Sequence, residues 1–185
     1  ETKMDFVRSK AQHQAAVLGE EIPLNPHATY TVDEGMLREL SDQSAPLSIH
    51  AAESLYENQL IRHGSGPYAE VERGLGLEPI ALGVSVIEYL DQVGFLRPGN
   101  QVVHACDVSP SDMDLMAERG VSVAHCPRSN DYLGCPVAPI LEMLRRGIPV
   151  GLGLDSAASS GPVDFFAEMR SAVDSSLRIG KALSP

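Results

Sequence analysis

The sequence is short of basic residues: 14 lysines and arginines stand against 25 aspartates and glutamates, a formal net charge of −11. That balance argues against nucleic-acid phosphates or an anionic membrane surface as main partners, since both need a positive face. Long apolar runs are missing as well. None approaches the ~20 residues that span a bilayer, and no signal peptide is visible. Cysteine is sparse and odd in number, at Cys106, Cys126 and Cys135, with no CxxC pair. This argues against a disulfide framework and a zinc ribbon. The expectation is three reduced thiols in a cytoplasmic protein. No glycine-rich phosphate loop is present, which speaks against a flavodoxin-like binding domain. No internal repeat or low-complexity segment is evident. The chain opens at Glu1 without an initiator methionine and ends on Lys181–Pro185. It reads as one piece of a longer protein.

What is present is an alternation of strands and helices. Composition, with 43% apolar and 21% charged residues over 185 positions, is that of a globular domain. The spacing of Phe6, Val7, Ala11, Ala15 and Leu18 predicts an amphipathic helix ending at Gly19. Ile22–Asn25 reads as a short strand weakened by Pro23. Thr31 with Glu34 reads as a capping box, opening a helix with Met36, Leu37 and Leu40 inward. Strands follow at 47–51, 101–104, 121–124 and 149–154. Helices are expected over 53–63, from Pro79, from Ser109-Pro110, through Ile140–Leu144, and from Pro162 through Phe165, Phe166, Met169 and Val173. Tyr68–Glu78 reads as an irregular active-site loop or lid. Alternation of this kind predicts βαβ units, a parallel sheet and right-handed crossovers.

Several strands end on a polar side chain able to bind a metal or move a proton. His50 and Glu53 form an H-x-x-E at one strand end, and imidazole and carboxylate suit zinc or iron. His104 ends the next strand. Asp155 follows Val-Gly-Leu-Gly-Leu, where a carboxylate leaving an apolar run needs a metal or a partner. Each alone is an ordinary packed or solvated residue. Their shared position at the carboxyl ends of successive strands is where parallel barrels keep catalytic groups.

These residues carry a resemblance. Pro26-His27-Ala28-Thr29-Tyr30-Thr31, His50-Ala51-Ala52-Glu53, His104, His125-Cys126-Pro127-Arg128-Ser129-Asn130, Leu152-Gly153-Leu154-Asp155-Ser156 and Glu168-Met169-Arg170 stand in the order found in the metal-dependent amidohydrolase superfamily. The match is to the branch of chlorohydrolases and nucleoside and nucleobase deaminases. The resemblance implies an α/β fold, a partial TIM (β/α)8 barrel holding strands four to eight within a single catalytic-domain fragment. It implies one divalent metal, zinc before iron, bound by His50 and Asp155. Glu53 would shuttle a proton, His104 would orient the attacking water, and Asp155 would take that water's proton. His27, Ser129, Asn130 and Ser156 would contact the substrate, and His125 would be structural. The implied reaction is hydrolytic deamination of an adenosine-type nucleoside, aminofutalosine included. Triazine dechlorination, cyclic-amide hydrolysis and a metal-free module are the alternatives. A small-molecule substrate and a homo-oligomer are the expected partners.

Two departures stand out. The superfamily's site also uses a His-x-His pair, and the histidines here are only His13, His27, His50, His63, His104 and His125. Leu154 also stands where threonine usually precedes the metal aspartate, which can alter a supporting hydrogen bond.

Overall fold

Apolar runs flanked by turn residues become strands, and all strands lie side by side. The computed structural model describes residues 3–20 and 22–178. Its sheet is β1 (Ser48–Ala51), β2 (Gln101–His104), β3 (Ser122–His125) and β4 (Val150–Leu152), parallel and in sequence order. Ile49 registers with Val102, Val102 with Val123, and Val123 with Val150. Ile49, Val102 and Val123 are fully buried on the face packed by helices. The alternate positions, Ser48, His50, Gln101, Val103, Ser122 and Ala124, are half-buried on the other face.

The helices are α1 (Lys3–Leu18), α2 (Glu34–Ser41), α3 (Leu55–His63), α4 (Pro67–Gly74), α5 (Val86–Gln92), α6 (Pro110–Arg119), α7 (Pro127–Tyr132), α8 (Ile140–Arg145), α9 (Ala157–Ser160) and α10 (Phe165–Arg178). Leu37, Ile87, Leu90, Phe95, Met116, Met143 and Ile148 fill the core between helices and sheet. The cap of α6 is as expected: Ser109 accepts from the Asp112 amide, and Asp112 returns a bond to the Ser109 amide.

Other expectations are corrected. Residues 22–25 form no ladder; the segment contributes a single parallel bridge, Ala28 with His50, as a proline that cannot donate would allow. Asp33, not Thr31, caps α2, because the Thr31 hydroxyl is spent on the Ala28 carbonyl. The loop expected over 68–78 contains α4. The helix expected from Pro79 begins only at Val86, where Ser85 and Glu88 make a capping box; Gly83 just before it is left-handed at φ 74°. The final expected helix is α10, and its Phe165, Phe166, Met169 and Val173 are exposed. On α1, Phe6, Val7 and Leu18 are exposed, and only Ala11 and Ala15 turn partly inward. No helix among the described residues is long and apolar enough to cross a membrane.

Candidate active site

The site lies at the carboxyl rim of the sheet. Four non-glycine residues among those described have positive φ: Ala52 at 51°, His104 at 75°, Ala105 at 47° and Asp155 at 56°. All four follow or end β1, β2 or β4. Left-handed backbone is costly for a residue with a β-carbon and clusters at functional sites. Its effect is clearest at His104. His50 registers with Val103, so strand alternation alone would put His50 and His104 on opposite faces. The turn at His104 brings its ring to 5.3 Å from that of His50.

Supporting bonds fix which nitrogen each ring presents. Nδ1 of His50 is 2.8 Å from the His27 carbonyl, which can only accept, so Nδ1 carries the proton and Nε2 keeps its lone pair. Nδ1 of His104 is 2.8 Å from Oδ1 of Asn130, an acceptor, so its Nε2 is likewise unspent. That Nε2 is buried with no hydrogen-bond partner, and it faces Oε1 of Glu53 at 3.6 Å.

Asp155 is divided between two tasks. Oδ2 accepts the hydroxyls of Ser129 at 2.6 Å and Ser159 at 2.9 Å. Oδ1 is left facing Nε2 of His50 at 3.9 Å. Burial would raise this carboxyl, but the two hydroxyls and His104 outweigh it and hold it below its ordinary value. Potential ligand atoms of His50, His104 and Asp155 all lie within 4.8 Å of one another. Two imidazole nitrogens and a carboxylate oxygen are a donor set for zinc or iron, and the orphaned Nε2 of His104 fits such an occupant.

The structure draws together His50, Glu53, His104 and Asp155, and it adds His104 to the potential ligands, where the sequence reading gave it only the water. The ring of His27 packs 5.2 Å from that of His50. Two of the residues expected at the mouth lie inside the protein. Ser129 is fully buried and Asn130 nearly so, and their polar atoms face Asp155 and His104. Ser156 is exposed and caps α9 through its carbonyl, which accepts from the Ser160 amide. Sequence reasoning missed Ser159; its spacing of one helical turn from Asp155 was the available signal.

His125 is buried, its Nδ1 has no partner, and burial followed by His104 pushes it down to about 4. It holds no place in the ligand group. The three thiols are free; burial raises each, Cys126 to about 12 and Cys135 to about 11, so they stay protonated. Gly153 runs against Cys126: a β-carbon there would fall 2.8 Å from its sulfur. Arg128 reaches the buried Glu168 at 3.5 Å, tying α10 to the rim.

The chain is 34% identical over 177 residues to a 5-methylthioadenosine/S-adenosylhomocysteine deaminase of Nitratidesulfovibrio vulgaris (strain DP4), covering 92% of this chain and 36% of that protein. It is 38% identical over 154 residues to a 5'-deoxyadenosine deaminase of Methanothermobacter thermautotrophicus, covering 82% and 32%. It therefore spans about a third of the length of the curated relatives it matches. Among solved structures, an adenosine deaminase from Xanthomonas campestris with bound zinc superimposes with a TM-score of 0.74 at 26% identity, covering 97% of this chain and 40% of that one. A Helicobacter pylori aminofutalosine deaminase shares the fold, with a TM-score of 0.80 at 19% identity and coverage of 94% and 45%. The amidohydrolase family model matches residues 8–184. With that match running through every residue of the rim cluster, the chain belongs to the amidohydrolase family.

Proposed function

We propose that this chain is the carboxyl-side part of a (β/α)8 barrel, strands four to eight, in an enzyme that deaminates an adenine nucleoside. The observation that carries the reading is the convergence of His50, His104 and Asp155 beside Glu53. His50 through Nε2 and Asp155 through Oδ1 would hold one divalent cation, zinc by choice of donors, with Nε2 of His104 facing the same point. When bound, that cation would supply the Lewis acid that acidifies a water and polarises the reacting carbon. The His-x-His pair of the family would come from residues outside this chain.

The residues' own work follows from their geometry. Oδ1 of Asp155 takes a proton from the attacking water, while Ser129 and Ser159 keep Oδ2 from turning. His104, held by Asn130, orients that water through Nε2. Glu53 gives a proton to the ring nitrogen next to the amino-bearing carbon, which makes that carbon electrophilic. The deprotonated water adds to it, Asp155 passes its proton to the amino group, the carbon–nitrogen bond breaks, ammonia leaves, and the remaining hydroxyl proton returns to Glu53. Positioned acid–base groups of this kind are worth ~10²–10⁴-fold. His27 and Ser156, both exposed, would meet the sugar side of the substrate. The apolar side chains exposed along α10, Phe165, Phe166, Met169 and Val173, support self-association.

The test is ammonia release by the intact enzyme from adenosine, 5'-deoxyadenosine and 5'-methylthioadenosine, with a chlorotriazine and a cyclic amide alongside, and metal analysis of the same sample. Deamination of a nucleoside with one bound metal is the expected result. Chloride release, ring opening, or a metal-free protein inert on all five would overturn the reading.

A further inference from the structure

Glu57 is a carboxylate that the reaction above leaves unused. It is 1% exposed and sits in the first turn of α3, one turn on from Glu53. A capping-box acid reaches back to the amide of the N-cap residue. Glu57 reaches past the N-cap Ser54: its Oε2 accepts from the Glu53 amide at 3.0 Å. The Ala52 amide faces the same carboxylate, and Oε1 accepts the Thr29 hydroxyl at 2.5 Å. Every one of these partners is a donor.

Ala52 is one of the left-handed residues, and such backbone costs of order 1–3 kcal/mol unless its surroundings hold it. A turn of this kind aims successive amides into one concavity that suits an anion, and the Glu57 carboxylate occupies it. Thr29, on the other oxygen, belongs to the segment that carries His27 and Ala28. The His27 carbonyl receives both the amide and Nδ1 of His50. A single carboxylate thus joins the turn bearing Glu53 to the segment that orients His50. Its burial, which raises it to about 7 against the pull of Thr29 and the Glu53 amide, makes it expensive to keep for helix capping alone.

We infer that Glu57 is the positioning residue of the site: it holds the left-handed turn at Ala52 and fixes the Glu53 carboxyl relative to the His50 imidazole. The inference rests on the proton-transfer role of Glu53 given above. Glu57→Gln in the intact enzyme turns one acceptor oxygen into a donor facing donors. Hydrogen exchange should then show protection lost at the amides of residues 52 and 53, with the β2 and β3 amides unchanged. The kcat should fall ~10–100-fold, the size usual for partners that orient active groups, with KM moving less. In a Glu53→Gln background the same change should cost nothing further, because the group it positions is gone.

Thr29→Val removes one donor while leaving the carboxylate, so it should show the same pattern more weakly. It carries both readouts if Glu57→Gln does not fold. Unchanged exchange at 52 and 53, or losses in kcat that add to those of Glu53→Gln, would overturn the inference. An intact enzyme that deaminates nothing would instead overturn the proposed function, and the exchange measurement would still decide whether Glu57 holds the turn.

Discussion

His50, His104 and His125 end three neighbouring strands, yet only two of them reach the ligand cluster. His50 and His104 each give Nδ1 to an acceptor, the His27 carbonyl and the Asn130 side chain. His125 has no partner at Nδ1 and sits buried on the other side of β3, among the apolar side chains of α8, β4 and α10. A histidine at the end of a parallel strand is therefore not a potential ligand by position alone. It becomes one when a neighbour takes one nitrogen and the backbone turns the other toward the shared point.

The largest test of that contrast is His50→Ala or Asp155→Ala. Either should strip the metal from the intact enzyme and abolish turnover, read by metal analysis and ammonia release; a fully loaded variant would break the contrast. Glu53→Gln comes next. It should keep the metal and lose ~10²–10⁴-fold in kcat; unimpaired deamination would remove Glu53 from the mechanism. Asn130→Leu takes the acceptor from His104 and should cost ~10–100-fold in metal affinity or activity, whereas His125→Gln should leave both near wild type. Equal losses from the two would erase the distinction drawn here.

The last effect is one of pH on stability. His125 titrates near 4 when folded, against 6.5 ordinarily. Its depressed value means that protonation is harder in the folded state. The stability it contributes is whole above about pH 6.5 and is lost as pH falls toward 4, by roughly 3 kcal/mol at most. Glu57, raised from 4.5 to about 7, works the other way, losing stability as pH rises through that window. The His125 contribution is thus the difference between wild type and His125→Gln in urea melts at pH 7 and pH 4.5. A difference that does not shrink toward acid pH would refute the assignment.

Much of this rim was legible in the sequence. His50, His104 and Asp155 each follow an apolar run, and such runs in a βαβ alternation end on one rim. The strands over 48–51, 101–104, 122–125 and 150–152 were legible for the same reason. What could not be read was mutual orientation. Nothing in Ser129-Asn130 says that its polar atoms face the protein rather than the substrate, because that follows from where Asp155 and His104 lie in space. The outward set of α10 was hidden similarly: a row of apolar residues predicts a helix face but not what meets it. The strand expected at 22–25 failed on Pro23, a local warning already present. Glu57 was visible only as an acid one turn after Glu53, and its burial is a property of the fold.

The tight approach of Gly153 to the Cys126 sulfur couples two positions far apart in the chain. A side chain at 153 needs a smaller atom at 126, since its β-carbon would otherwise fall 2.8 Å from the sulfur. Homologous enzymes with alanine at the first position should carry alanine or glycine at the second, so the two sites should drift through evolution in step. By the same reasoning, a bulkier side chain at 126 would press on Gly153, two residues before Asp155.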